Sequence, residues 1–131
     1  MKIFCIAASF VPSNTANSMQ VVKATQAMTA LGHDVTLLVP GSQEAPWDAL
    51  EAQYGLHTPI SIHWIPENLA FKRYDYAFKA IRFARQHEPD LVYTWVLQAA
   101  VLALWQGLPV VLELHDRVTG RFGPWLFRRF C

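Results

Sequence analysis

This sequence is short of three things. Its 131 residues hold two cysteines and six glycines, and charged side chains make up only 16%. The cysteines, Cys5 and Cys131, give neither a disulfide framework nor a metal-ligand spacing, which fits a reducing compartment. Cys5 reads as a small buried hydrophobe. Sparse glycine leaves no G-x-G-x-x-G loop. After the second apolar run, Val39-Pro40-Gly41 offers no acidic residue for a ribose hydroxyl, so a nicotinamide or adenine dinucleotide site is not expected. Low charge beside 53% hydrophobic residues excludes a disordered chain. It also implies that part of the surface is covered, for instance by another domain.

What is present is unevenly placed. Residues 1–67 carry two basic and five acidic side chains (−3), and residues 68–131 carry nine basic and five acidic (+4). The second half can therefore face anionic matter. Met1 and Lys2 lead straight into a short apolar run without a signal-peptide pattern, so the start reads as cytoplasmic. Leu91 to Leu112 has no charged residue and the length, about 20 residues, of a membrane-spanning helix. Gln98, Gln106, Gly107 and Pro109 interrupt it, and the pieces separate into strand, helix and strand. The length suits one domain.

Periodicity divides the chain into alternating elements. An apolar strand, Lys2 to Ala8, precedes a polar loop, Ser9 to Ser18. Ser18 is the expected N-cap of a helix with Val21, Val22, Met28 and Leu31 on its apolar side, ended by Gly32. Val35 to Val39 is a second strand, closed by Pro40 and Gly41. A short helix follows from Ala45 to Tyr54, with Pro46 in its first turn and Gly55 after its end. Ile60, Ile62 and Trp64 alternate with Ser61 and His63, as in a strand at a sheet edge. His57 and His63 read as surface or half-buried residues, since no other ligand lies at metal spacing.

The next helix runs from Glu67 or Asn68 to about His87. Phe71, Tyr74, Phe78 and Ile81 form its expected apolar stripe, and Lys72, Lys79, Arg82 and Arg85 a basic face. That face is either simply solvated or rests on anionic lipid or a phosphorylated acceptor. A strand from Leu91 to Trp95, a helix from Leu97 to Gln106 and a strand from Val110 to Leu114 complete the alternation, and Pro124 to Phe130 reads as a further helix. The fold class is therefore α/β, a Rossmann-like parallel sheet with helices on both faces. Ligands of such sheets lie beyond the carboxyl ends of the strands, where the strand order reverses.

Polar groups gather at those ends. They are the Ser9–Ser18 loop at a helix N-terminus, which favours anions, then Tyr93, Thr94 and Trp95, then Glu113, His115 and Asp116. His115 with Asp116 suits proton handling near neutral pH, and equally a cap or turn.

Several segments, taken in order, resemble one family. They are Ala16-Asn17-Ser18-Met19-Gln20-Val21-Val22-Lys23, Leu31-Gly32-His33-Asp34-Val35-Thr36-Leu37, Asp90-Leu91-Val92-Tyr93-Thr94, Leu108-Pro109-Val110-Val111 and Glu113-Leu114-His115-Asp116. Together they are similar to the N-terminal domain of glycosyltransferase family 4, retaining enzymes of the GT-B fold. The resemblance implies sugar transfer from a nucleotide-sugar donor to an acceptor hydroxyl, without a bound metal or a permanently bound cofactor, in a cleft between two Rossmann-like domains. This chain would supply the acceptor side.

Carried onto this sequence, the resemblance places Asn14, Asn17 and Ser18 near the donor phosphates and transferred sugar. His115 would be the catalytic contact to sugar or acceptor, supported by Glu113 and Asp116, with Tyr93 and Thr94 lining the substrate. Many members have a glycine pair in the first loop. Here Thr15-Ala16-Asn17-Ser18 would act through side chains or a left-handed asparagine. Trp95 stands where related sequences often carry arginine.

The donor-binding C-terminal domain, with its paired glutamates, is not in residues 1–131. The chain therefore reads as a single, incomplete N-terminal domain, inactive unless that half is supplied in cis or by a partner chain. The expected partners are a nucleotide-sugar and a glycan, lipid-linked or small-molecule acceptor. No nucleic acid is expected. The expected location is cytoplasmic, with peripheral contact at the inner face of the membrane as one option. Two rivals stay open. Ser13 to Ser18 also resembles the phosphate loop of flavodoxins, which implies an FMN-binding electron-transfer module. The aromatics Phe122, Trp125, Phe127 and Phe130 are either core of an unfinished domain or the contact patch of a noncatalytic subunit of a split transferase.

Overall fold

The computed structural model describes residues 1–11, 15–41, 46–66 and 72–114, with Trp125, Arg128 and Arg129; for Lys72 and Arg73 it describes the backbone alone. The elements are β1 (Lys2–Ile6), α1 (Ala16–Ala30), β2 (Asp34–Pro40), α2 (Trp47–Tyr54), β3 (Ser61–Ile65), α3 (Lys72–Gln86), β4 (Leu91–Thr94), α4 (Leu97–Trp105) and β5 (Val110–Leu112). The strands form one sheet in the order β3-β2-β1-β4-β5, and every neighbouring pair is parallel. This is the Rossmann-like alternation expected from the sequence, with β3 at an edge.

Residues of a strand point alternately to opposite faces, so β1 serves two cores. Ile3, Cys5 and the following Ala7 join Val35, Leu37 and Val39 of β2 beneath Val21, Val22, Leu50 and Tyr54 from α1 and α2. Phe4 and Ile6 join Leu38 and Val92 against Tyr76, Ala77, Ala80, Ile81 and Ala84 of α3 and Ala99 and Ala103 of α4. Both faces of β1 are covered, and its run KIFCI accordingly lacks a polar alternate. Cys5 is fully buried, and that burial pushes its thiol up to about 12.

Several details differ from the sequence reading. The N-cap of α1 is Thr15, whose side chain accepts from the Ser18 amide, so the helix begins earlier than a Ser18 cap would allow. Ser18 lies in the first turn, where its hydroxyl has a buried partner. Leu31 is not part of the apolar side. It caps the helix and is 76% exposed, while Gly32, at φ 96°, takes the left-handed turn.

The apolar stripe of α3 is also different. Tyr76, Ala77, Ala80, Ile81 and Ala84 are buried, whereas Tyr74 and Phe78 are 44% and 53% exposed. Small residues bring this helix close to the sheet and to α4, so the buried stripe follows alanine rather than ring size. Phe71 lies outside the described residues. α3 begins at Lys72, and the expected start at Glu67 or Asn68 falls on residues outside the description too. Leu91 to Leu112 divides into β4, α4 and β5, and no described helix is long and apolar enough to cross a membrane.

Candidate active site at the carboxyl ends of the strands

The chain leaves β1 toward β2 on one side, and β4 lies on the other, so the strand order reverses between β1 and β4. A crevice opens at such a point because the two connections diverge. The β1 loop is tied from two directions. The Trp64 indole, at the end of β3, donates to the Val11 carbonyl at 2.9 Å. The buried Tyr76 hydroxyl of α3 donates toward the carbonyls of Ala7 and Leu38, at 2.5 and 2.7 Å.

The polar residues at this end fall into two groups. Ser18 and Thr94 are fully buried. The Ser18 hydroxyl lies 2.5 Å from the Tyr54 hydroxyl of α2. The Thr94 hydroxyl donates to the Ile6 carbonyl at 2.8 Å and accepts from the Val96 amide at 2.9 Å, which joins β4 to β1 and shapes the entry to α4. Both side chains spend their hydrogen bonds inside the fold.

Tyr93, Glu113 and Gln20 form the second group. The Tyr93 hydroxyl donates to Glu113 Oε2 at 2.5 Å, and Gln20 Nε2 donates to Glu113 Oε1 at 3.3 Å. One carboxylate thus links the ends of β4 and β5 to the first turns of α1 across the switch in strand order. The hydrogen bond to Glu113, then burial and the nearby negative charge, push the Tyr93 phenol up to about 12. The Tyr93 ring lies 5.1 Å from that of Trp95. The Trp95 indole N–H is buried with no hydrogen-bond partner among the described residues.

Asn17 is exposed in the first turn of α1. Among the described residues Glu88 is the only non-glycine with positive φ, so Asn17 is helical rather than left-handed and can act only through its side chain and amide. Asn14, His115 and Asp116 lie outside the described residues. Of the sequence-identified residues, Tyr93 and Glu113 are brought together. Ser18 is separated from them by its bond to Tyr54. Sequence reasoning missed Gln20 and Tyr54; Gln20 falls one place after Met19 in the family-like segment, but nothing in its type marked it as the partner of a glutamate 93 positions away. No group of three or more histidine, cysteine or acidic side chains is arranged to hold a metal among the described residues.

A five-stranded parallel sheet with this order, covered on both faces and carrying its polar residues at the switch point, is a Rossmann-like fold, of the kind found in each half of a GT-B architecture. Solved structures agree. MurG of Acinetobacter baumannii superposes with a TM-score of 0.61 at 18% identity, over 96% of this chain and 38% of its own. UGT2 of Phytolacca americana, solved with UDP-2-fluoro-glucose and pterostilbene, gives 0.57 at 15% identity, over 90% of this chain and 30% of its own. The C-terminal domain of a Pyrococcus furiosus hydrogenase gives 0.55 at 20%, over 86% of this chain and 91% of that domain. Likeness at these identities establishes the fold alone.

The sequence narrows it. The model of Glycosyltransferase Family 4 matches residues 18–131, and the chain belongs to that family. No curated protein matches it. The chain spans 38% and 30% of the length of the two solved glycosyltransferases it resembles.

Proposed function

We propose that this chain is the acceptor-side half of a retaining glycosyltransferase that moves a sugar from a nucleotide-sugar to an acceptor hydroxyl. The single observation that carries the reading is the carboxylate of Glu113, held on both oxygens by Tyr93 and Gln20 at the switch point of a family 4 domain. Such a carboxylate is oriented before any ligand arrives, which lowers the ordering cost of binding a sugar hydroxyl or acceptor.

In this reading Asn14 and Asn17 flank the donor phosphates at the N-terminus of α1, where backbone N–H groups favour an anion. His115 is the catalytic contact to the transferred sugar or acceptor, and Asp116 supports it. Tyr93 and Glu113 line the substrate, while Ser18 and Thr94 position the elements that carry the others. The chemistry uses no resident metal or cofactor. The acceptor is a glycan, a lipid-linked molecule or a small molecule, and the enzyme works in the cytoplasm, against the inner face of the membrane. The donor-binding half comes in cis or from a partner chain, and residues 1–131 alone do not transfer sugar.

Saturation-transfer NMR of the purified chain with a panel of nucleotide-sugars, followed by an assay for sugar release, tests this. Weak binding that falls in Glu113→Gln, without turnover, is expected. Sugar transfer by the chain alone would refute the need for a second half. A yellow chromophore retained through purification would point to the flavodoxin-like module instead.

A further inference from the structure

α3 presents an unusual outer stripe. Tyr74, Phe78, Arg82 and Arg85 follow at intervals of four, four and three, which aligns them along one side of the helix over about 16 Å. All four are exposed, and the two rings are the ones the sequence assigns to the core. Asp75, the acidic residue of the helix, is off this line and pairs with Lys79 at 3.2 Å. Arg85 reaches Gln106 Oε1, at 3.3 Å, where α4 ends. Beside that glutamine, Trp105 is 79% exposed and Leu104 42%.

We infer that this stripe, with the end of α4, is a docking surface for an anionic lipid bilayer. Aromatic rings favour the boundary between headgroups and chains, and arginines without a carboxylate on their line favour anionic headgroups. Two rings and two cations along a single helix suit shallow, reversible binding rather than insertion. Because α3 follows β3, its Tyr74 end starts at the carboxyl-end rim of the sheet, so a bilayer on the stripe lies alongside the mouth of the crevice. The inference rests on the proposed placement at a membrane and not on sugar transfer.

Flotation of the purified chain with vesicles tests it, using phosphatidylcholine alone and phosphatidylcholine with phosphatidylglycerol. The chain is expected to float only with the anionic vesicles and to be released by salt. Arg82→Gln with Arg85→Gln should lower partitioning by about 25-fold, taking about fivefold per arginine near an anionic surface. Tyr74→Ser with Phe78→Ser should abolish flotation while leaving the far-ultraviolet circular dichroism unchanged, because neither ring is in the core. In Phe78→Trp, emission should shift to the blue on vesicles and be quenched by brominated lipid.

Wild-type flotation matched by both double variants would overturn the stripe and keep the membrane placement. Failure of the wild type to float would overturn both and leave the sugar chemistry untouched. Concentration-dependent self-association lost in Tyr74→Ser with Phe78→Ser, without lipid binding, would make the face a contact between copies and likewise overturn the inference.

Discussion

Ser18 and Thr94 sit at the same end of the sheet as Tyr93 and Glu113, carry similar chemistry, and behave in opposite ways. The first two are fully buried and bonded to groups of the fold. The second two are half-buried, bonded to each other, and open toward the crevice. Polar residues at the end of a parallel strand therefore divide into those that hold the connections and those that meet a ligand. Pleat and depth decide which is which: Thr94 and Tyr93 are neighbours whose side chains leave opposite faces of β4.

The sharpest way to break this comparison is Thr94→Val. It keeps the shape but strands the buried Val96 amide and takes one of two donors from the Ile6 carbonyl, which keeps the Trp95 amide, and chemical denaturation should show a loss of about 2 to 3 kcal/mol. Tyr54→Phe leaves the buried Ser18 hydroxyl without its partner and should cost about 1 to 2 kcal/mol in the same measurement. On the crevice side, Tyr93→Phe and Glu113→Gln should each change stability by less than about 1 kcal/mol, while nucleotide-sugar or acceptor binding weakens. An equal loss of stability on the two sides would erase the distinction.

The pH response sharpens it further. The Tyr93 phenol is raised to about 12 in the folded chain, above its ordinary value of about 10. Its contribution to stability is present in full below pH about 10 and is lost as pH rises toward 12. Ultraviolet titration, read as the difference from Tyr93→Phe, should locate that late ionisation and find it earlier in Glu113→Gln. The smallest expected effect lies far from the crevice. Glu88 holds φ at 52° after α3, and Glu88→Gly should add about 0.5 to 1 kcal/mol by relieving the left-handed conformation.

The order of elements was legible because it rests on strong signals. Buried parallel strands are apolar runs, and Pro46, Gly55 and Gly32 mark helix ends by backbone chemistry alone. The face of α3 was not legible, since Tyr74 and Phe78 have the spacing of core residues. Only the close approach permitted by Ala77, Ala80 and Ala84 turns the helix away from them. The cap of α1 was not legible either, because Thr15 and Ser18 are both good caps. What separates them is Tyr54, a partner from α2 that local pattern does not reveal. At the candidate site, residue types suggested Tyr93 and Glu113 separately, but their bond, and Gln20 on the other oxygen, depend on strands and a helix brought together by the whole sheet.

The Tyr76 hydroxyl has one proton and faces two carbonyls, Ala7 beyond β1 and Leu38 in β2. Those oxygens belong to chain segments that approach only when β1 and β2 pair as Ile6 with Leu38. A slip of one residue would carry Leu38 to the opposite face and leave the hydroxyl buried with half its acceptors. Tyr76 thus acts as a proofreader of alignment: α3 can seat on the sheet at full strength only after the two central strands have found their correct match.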